Sequence, residues 1–330
     1  MTKKIIFLAA CFLLLAPCSA VEAQQPRKIF RIGFLENSTA TGSAVRLEAF
    51  WQEIRKLGWI EGKNITIESR FAEGKNDRLP EFAADLVRLK VDLIVATGTP
   101  ATLASKSATA TIPIVFTNAA DPVGAGMVAS LARPGGNVTG VSGLSVELNT
   151  KRLEILKDAI PKLAGVGLPR TPGASEPIAR DLQMKELRAA AVALKLKLEE
   201  IEAQYDAKGL ESFFQTAKQK QVGAIMIVGP TLFTQRKRIV ELAGKHRFPA
   251  IYPAKEYVDE GGLMYYGVDF ADQYRRAAVY VDKILKGAKP VDLPVQQATK
   301  FEFVINLKAA KQIGLTIPVR VLERANQVIK

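Results

Sequence analysis

The stretch RLPEFAADLVRLKVDLIVATGTP, residues 78–100, contains the pattern that decides the fold of this chain. Apolar residues recur at helical spacing from Arg78 to Lys90, and the apolar run from Val91 to Ala96 then predicts a buried strand. A Gly-Thr-Pro loop follows the run. A helix, a short turn, a buried strand and a loop rich in turn residues form the repeating unit of a parallel α/β sheet.

A second stretch, GLESFFQTAKQKQVGAIMIVGPT at residues 209–231, has the same order of helix, turn, strand and loop. The match extends further, because Ile112–Phe116 and Phe248–Tyr252 each combine a proline with a short apolar run. Ordinary α/β periodicity would also give two such stretches, but the coinciding loops and prolines favour an internal duplication. We therefore predict an α/β protein with two Rossmann-like lobes, each built on a parallel sheet.

Elsewhere the chain alternates short apolar runs with helical periodicity. Strands are predicted at 30–35, 65–68, 114–117 and 196–202, and helices at 43–57, 182–194 and 239–246. In open parallel sheets, ligands bind beyond the carboxyl ends of the strands, where loops lead into helices. Two such lobes would form a cleft, and the loops that follow the strands are the candidates for function.

The N-terminal segment has the layout of a bacterial secretory signal peptide. Lys3 and Lys4 precede an apolar run from Ile5 to Leu15, and Ala23 ends a stretch suited to cleavage. The apolar run is shorter than the roughly 20 residues of a membrane-spanning helix, so a permanent membrane anchor is the less favoured alternative. We expect a signal peptide at residues 1–23 and a periplasmic mature protein.

Both cysteines, Cys11 and Cys18, lie in this segment. The sequence from Leu15 to Cys18 partly resembles a lipoprotein signal, but Pro17 stands where that signal has Gly, Ala or Ser, so a lipid anchor on Cys18 is the minor alternative. Cleavage after Ala23 leaves a mature chain without cysteine. Such a chain forms no disulfide and has no thiolate nucleophile.

The net charge of +13 comes from basic residues interleaved with acidic ones along predicted helices, which is typical of solvated helix faces. The sequence has no basic and aromatic cluster suited to base stacking, so we expect no nucleic acid partner. His246 is the single histidine, and a solvated position at a helix C-terminus is expected for it. Without another histidine or a mature cysteine, we expect no metal site. The sequence has neither a P-loop nor a G-x-S-x-G elbow, so we also expect no cofactor and no enzymatic activity.

Several loops after predicted strands have the residues that start helices. Thr99 is predicted to be an N-cap with Pro100 at the first helical position, and Asp121 is predicted to cap another helix. Asp269 is predicted to be an N-cap with Asp272 as the acid three residues later. Helix starts bind carboxylates through free N–H groups, although each loop taken alone is also explained as a simple cap.

The candidate ligand-binding residues lie in these loops or at the strand ends beside them. They are Asn37, Ser38, Gly98, Thr99, Thr117, Asp121, Arg170, Thr231, Glu256, Tyr266 and Asp269. We expect Ser38, Thr99 and Asp121 to hold the polar end of the ligand. We expect Asp269 to couple closure of the cleft to binding, with Thr231 and Glu256 on the facing lobe.

Two stretches carry a resemblance to a known family. DPVGAGMVASLARPGGNVTGVS (121–142) and RRAAVYVDKILKGAKPVDLPVQQATKFEFVINLKAAKQIGLTIP (275–318) resemble signatures of the ABC-transporter substrate-binding family that includes tryptophan-binding lipoproteins. The resemblance extends over nearly all of the mature chain. It implies a type I periplasmic-binding fold, in which three linking strands form a hinge, and delivery of a small solute to an ABC permease in the inner membrane.

This fold implies discontinuous lobes. The N-terminal lobe is expected to comprise residues 29–143 plus 268–292, and the C-terminal lobe residues 144–267 plus 293–330. The crossings between them are expected near Gly143, Gly267 and Leu293.

One loop departs from the family pattern. Members usually have an aromatic-Asn-Pro turn after the strand that ends here at Leu168, whereas this chain has PRTPGASEP at 169–177. Arg170 in this loop either favours a more anionic solute or points to solvent.

These expectations describe an exported, monomeric solute-binding protein of an ABC importer. Its solute would be a small organic molecule, such as an amino acid, an aromatic acid or a similar carboxylate. A ligand-sensing module for a membrane receptor and a periplasmic enzyme that uses the same cleft are the alternatives.

Overall fold

The computed structural model describes residues 28–143, 145–170, 177–204, 206–229 and 232–330. The predicted signal peptide, with Cys11, Cys18 and the cleavage position after Ala23, lies outside these residues, as does Thr231. Within the described ranges, no helix combines the length and apolar character that crossing a membrane requires.

Strands and helices alternate along the described chain. The strands are β1 (Phe30–Glu36), β2 (Ile65–Phe71), β3 (Leu93–Thr97), β4 (Ile114–Ala119), β5 (Val138–Ser142), β6 (Gly165–Arg170), β7 (Lys197–Glu202), β8 (Ala224–Met226), β9 (Ala250–Tyr252), β10 (Met264–Val268), β11 (Gln296–Gln297), β12 (Phe301–Asn306) and β13 (Gln327–Ile329). The helices are α1 (Ala40–Lys56), α2 (Leu79–Arg88), α3 (Gly98–Ala108), α4 (Ser145–Ala159), α5 (Pro177–Ala193), α6 (Ala207–Gln219), α7 (Arg236–Lys245), α8 (Glu256–Asp259), α9 (Phe270–Leu285), α10 (Leu307–Ile313) and α11 (Val319–Leu322).

The strands form two sheets with the same topology. The first has the order β11-β5-β4-β3-β1-β2, and the second β13-β12-β10-β9-β8-β6-β7. Strands β1 to β5 therefore have the same spatial order as strands β6 to β10, which supports the predicted duplication. The predicted α/β fold with two Rossmann-like lobes is confirmed. The second sheet is not wholly parallel, because β12 runs antiparallel to β10.

Helices cover both faces of each sheet, which explains the continuous apolar runs in the strands. On one face of the first sheet, Phe34 of β1 packs with Phe50 of α1 and Tyr274 of α9. On the other face, Ile94 of β3 packs with Leu86 of α2. The central strands are therefore buried on both faces, which leaves the strand ends for a ligand, and in open α/β sheets ligands bind at the carboxyl ends.

The third crossing lies later in the chain than predicted. Strand β11 pairs with β5 in the first sheet, through Gln296 with Val141, whereas Phe301 begins β12 in the second sheet. The chain therefore passes between the sheets after Gln297 and not near Leu293. The pattern of apolar residues did not reveal β11, because its two residues are exposed glutamines.

Candidate ligand-binding cleft

The carboxyl ends of the two sheets bring polar side chains together between the lobes. The first cluster surrounds Glu36, the last residue of β1, which is 2% exposed. The hydroxyl of Ser43 donates to Glu36 Oε1 at 2.5 Å, and the hydroxyl of Tyr274 lies 3.4 Å from both carboxylate oxygens. Burial raises the pKa of the Glu36 carboxyl, while Arg46 and these hydrogen bonds oppose the rise.

Arg46 of α1 links the two lobes. Its Nη2 atom lies 3.1 Å from Glu256 Oε1 of α8, and the same atom donates to the carbonyl of Gly42. Its guanidinium carbon lies 5.3 Å from the ring centroid of Phe233 and 5.4 Å from that of Phe270. Burial lowers the pKa of Arg46, but the nearby acidic groups raise it by more, so this residue keeps its charge.

A second buried arginine lies in the C-terminal lobe. Arg152 of α4 is 4% exposed. Its Nε atom donates to the carbonyl of Tyr266 at 2.7 Å, and its Nη1 atom donates to Asn149 Oδ1 at 2.6 Å. Burial lowers the pKa of Arg152 to about 10, which leaves the side chain charged at neutral pH.

Several polar atoms in this region are buried without a partner among the described residues. They are Asn37 Oδ1, Arg46 Nε, Thr117 Oγ1, Asn149 Nδ2, Glu256 Oε2 and Gln273 Oε1. A buried polar atom without a hydrogen bond costs roughly 1–3 kcal/mol. Such atoms are therefore candidates for contact with a bound ligand or with water.

The predicted residues of the N-terminal lobe lie at the ends of its strands. Asn37 and Ser38 are half-buried between β1 and α1. Thr117 lies in β4 and is wholly buried. Gly98 is the first residue of α3 and has a φ of +78°, a conformation that glycine adopts without strain.

Two predicted helix caps are wrong. Helix α3 begins at Gly98, so Thr99 lies inside the first turn and Thr97 occupies the cap position. Thr99 is instead buried, and its hydroxyl accepts from the backbone N–H of Ala120 at 3.4 Å. Asp121 caps a turn and not a helix, because its Oδ1 atom accepts from the N–H of Gly124 at 2.8 Å and turns follow.

Asp269 is the N-cap of α9, as predicted. Its Oδ1 atom accepts from the N–H of Asp272 at 2.9 Å. The hydrogen bond from the Asp269 N–H to the Asp272 carboxylate, expected for a capping box, does not form. The Asp269 N–H donates instead to the carbonyl of Lys300, and the Asp272 carboxylate pairs with Lys300 Nζ at 2.7 Å. Asp269 therefore lies where the chain leaves β10 for α9, at the second crossing.

The remaining predicted residues belong to the C-terminal lobe. Glu256 contacts Arg46, as described above. The ring of Tyr266 stacks on Phe301 with a centroid separation of 6.4 Å. Arg170 ends β6 with its side chain 55% exposed and 3.8 Å from Glu202, so it points to solvent in this conformation.

Glu36, Arg46, Asn149 and Arg152 were not predicted to be site residues, although the sequence contains a signal for the last three. Arg46 lies on the helix stripe that contains the buried residues Ser43, Phe50 and Ile54. Asn149 and Arg152 have the corresponding spacing with the buried Leu156. A charged or amide side chain at an apolar-stripe position indicates a buried polar contact.

His246 is not the solvated residue that we predicted. Its side chain is 12% exposed, its ring stacks on Phe214, and its Nε2 atom lies 3.0 Å from Glu211 Oε1. Histidine here packs at the end of α7 against α6. Among the described residues, no group of three or more His, Asp or Glu side chains is placed to hold a metal ion.

Comparison with known proteins identifies the family to which this chain is similar. The sequence profile of the ABC transporter substrate binding protein family matches residues 45–329. A tyrosine-binding protein of Clostridioides difficile (strain R20291) is 29% identical over 275 residues, which are 81% of this chain and 76% of that protein.

Two solved structures are similar over most of the chain. A conserved domain protein from Vibrio cholerae is 31% identical, with a TM-score of 0.83, covering 91% of this chain and all of that one. The ABC domain from Streptococcus pneumoniae in complex with L-Trp is 28% identical, with a TM-score of 0.82, covering 92% of this chain and all of that one. The relatives whose names give a ligand are solute-binding proteins and not enzymes. This chain belongs to the ABC transporter substrate-binding protein family.

Proposed function

We propose that this protein is the exported solute-binding component of an ABC importer. It captures a small organic solute that carries a carboxylate, such as an amino acid or an aromatic acid, between its two lobes. The closed protein then delivers the solute to a permease in the inner membrane. It acts in the periplasm as a monomer.

The contact between Arg46 and Glu256 is the observation that carries this proposal. It joins α1 of the N-terminal lobe to α8 of the C-terminal lobe, between the carboxyl ends of the two sheets. Phe233 and Phe270 flank the same guanidinium, so polar and aromatic groups from both lobes meet at one place. Open α/β sheets bind ligands at this edge, and lobes that close over a ligand are a common form of switching.

The predicted ligand contacts remain part of the proposal. Asn37, Thr117 and Glu256 are its best-supported members, because each has a buried atom without a partner among the described residues. Ser38, Tyr266 and Asp269 also belong to the proposed set of contacts. Thr99 and Asp121 have internal hydrogen bonds, so a ligand role for either would add to a structural one.

Native mass spectrometry of the mature protein, purified without denaturation, tests the proposal directly. We expect one small organic acid to co-purify in a 1:1 complex with a monomeric protein. Calorimetry on protein stripped by unfolding and refolding should then give a dissociation constant of about 1 μM for that molecule. An absence of binding across amino acids, aromatic acids and other small carboxylates would contradict the proposal.

A further inference from the structure

Arg152 is a buried cation without a counter-ion. Within the described ranges, its two hydrogen bonds go to neutral groups, the carbonyl of Tyr266 and the amide oxygen of Asn149, and no carboxylate pairs with it. Arg46, the other arginine between the lobes, has Glu256 as its partner. Burying an unpaired charge is energetically unfavourable, so a buried cation that has no partner in the protein points to a charged partner from outside it.

The position of Arg152 is next to the cleft. Helix α4 begins at Ser145, shortly after β5 ends at Ser142 in the first sheet. Long side chains on a helix lean toward its N-terminus, and the hydrogen bond to Asn149, three residues earlier, shows this lean. The carbonyl that Arg152 contacts lies in Tyr266, one residue beyond Tyr265, where the pairing of β10 with β9 ends. The guanidinium therefore reaches the carboxyl edge of the second sheet.

The atoms without a hydrogen-bond partner beside Arg152 are hydrogen-bond donors. Asn149 is 1% exposed, and its Nδ2 atom has no acceptor among the described residues. The Nη2 atom of Arg152 makes no hydrogen bond to those residues either. An amide N–H and a guanidinium N–H side by side are suited to a carboxylate, which only accepts hydrogen bonds.

The surroundings of the two donors are apolar. Leu148, Val268 and Ala298 form a buried cluster, against which Tyr266 and Phe270 pack. Phe270 also contacts the Arg46 guanidinium, so the cluster extends from Arg152 toward the contact between the lobes. A carboxylate bound here would leave the rest of its molecule beside apolar and aromatic side chains.

We infer that Arg152 and Asn149 form the carboxylate-binding subsite of the cleft, in which the solute supplies the counter-ion that the protein lacks. This inference rests on the proposed function and deepens it. It assigns the acidic end of the solute to the C-terminal lobe. The solute class is a small monocarboxylate with an apolar body, and a decarboxylated analogue is a poor ligand.

The test uses pairs of probes that differ by one carboxylate: L-tryptophan with tryptamine, L-tyrosine with tyramine, and benzoate with benzyl alcohol. Affinities are measured by calorimetry for the wild type and for the Arg152→Gln, Asn149→Asp and Lys151→Gln variants. Asn149→Asp places a carboxylate beside Arg152, and this carboxylate replaces that of the solute as the counter-ion. Lys151→Gln removes a positive charge from the neighbouring, half-exposed position of the same helix and is the matched control.

We expect the wild type to prefer the acid of at least one pair by roughly tenfold or more. Arg152→Gln and Asn149→Asp should both lose this preference, whereas Lys151→Gln should keep it. If Arg152→Gln fails to fold, Asn149→Asp decides alone, because it keeps the guanidinium and supplies an internal partner.

Each other outcome overturns the inference. If the wild type binds both members of every pair equally, or if Asn149→Asp keeps the preference for the acid, then Arg152 has a structural role and the proposed function still stands. If no probe binds to the wild type, the proposed function and the inference fall together.

Discussion

Arg46 Nη2 and Glu256 Oε1 lie 3.1 Å apart across the cleft, although the two residues belong to different lobes. The contact is largely shielded from solvent, since the side chains are 11% and 28% exposed. An ion pair in this position favours the closed arrangement of the lobes, because opening separates the charges. The pair therefore contributes to closure before any solute contact is counted.

Glu256→Gln should shift the protein without solute toward an open arrangement. Removal of the Glu256 charge leaves the largely buried Arg46 guanidinium without its ion-pair partner in the closed arrangement, so the ratio of closed to open molecules should fall about tenfold or more. Small-angle scattering of the stripped protein should then show a larger radius of gyration. Glu260→Gln is the control, because Glu260 pairs with Arg236 inside one lobe. Equal radii for the two variants would show that the pair does not hold the lobes together.

The stability of the protein should depend on the charge of Glu36. Burial raises the pKa of this carboxyl above its ordinary value of 4.5, so the folded protein retains the proton at pH values where the unfolded chain has lost it. The stabilisation is therefore complete below about pH 4.5 and is lost as the pH rises through the folded-state pKa. Glu36→Gln removes this titration.

Urea unfolding at several pH values from about 4 upward tests the Glu36 prediction. The free energy of unfolding of the wild type minus that of Glu36→Gln should fall as the pH rises. Glu81→Gln on α2 provides the reference for loss of one surface carboxylate. A difference that stays constant with pH would contradict the prediction.

Substitutions of Asp269 can distinguish its role as a helix cap from its proposed role in solute binding. Asp269→Ala removes the N-cap of α9 and should lower the free energy of unfolding by about 1 kcal/mol, whereas Asp269→Asn keeps a capping oxygen. If Asp269 also couples closure to binding, both variants should weaken solute affinity. Asp206→Ala removes the N-cap of α6 and is the matched control. If the loss of solute affinity follows the loss of stability in the same way in all three variants, Asp269 acts only as a helix cap.

Gly140→Ala should destabilise the first sheet. Gly140 lies in β5 with a φ of +152°, and a Cβ atom there would clash with the carbonyl oxygen of Phe116 in β4 and lie 2.7 Å from its backbone nitrogen. Because main-chain atoms of a central strand cannot yield, we expect the free energy of unfolding to fall by about 2 kcal/mol or more. Gly136→Ala, where an added Cβ meets no atom within 4 Å, is the control in thermal and urea unfolding. Similar losses in both variants would argue against the steric explanation.

The fold was predictable from the sequence because its central strands are buried on both faces. A run such as Leu93–Thr97 is buried at every position, and helices such as α2 have a clear apolar stripe. The start of α3 was misplaced because a proline is tolerated in the first turn of a helix, so Pro100 does not fix the first residue. Asp121 has the side-chain bond of a cap, but Gly124 and Gly126 follow it and turns replace the helix.

The site was less predictable, because its most buried members depend on contacts across long sequence distances. Glu36 meets Tyr274 only when α9 packs against the first sheet, and Arg46 meets Glu256 only when both lobes are formed. In the sequence alone, each of these residues stands where a strand end or a solvent-exposed helix position is expected. The exception is the position of Arg46 and Arg152 on apolar helix stripes, which a search for charged residues at buried positions would find.

The late strand β11 has a consequence for how the chain reaches its native state. It adds residues 296–297 to the edge of the first sheet, and α9 brings Tyr274 and Val281 into the core that holds Phe34. A chain that ends at residue 143 has five strands of this sheet but lacks α9, one of the two helices that cover one face of it. We therefore expect the N-terminal half to remain unstable until residues 270–297 are available. Contacts this distant in sequence also form slowly, so we expect the N-terminal lobe to complete its folding late.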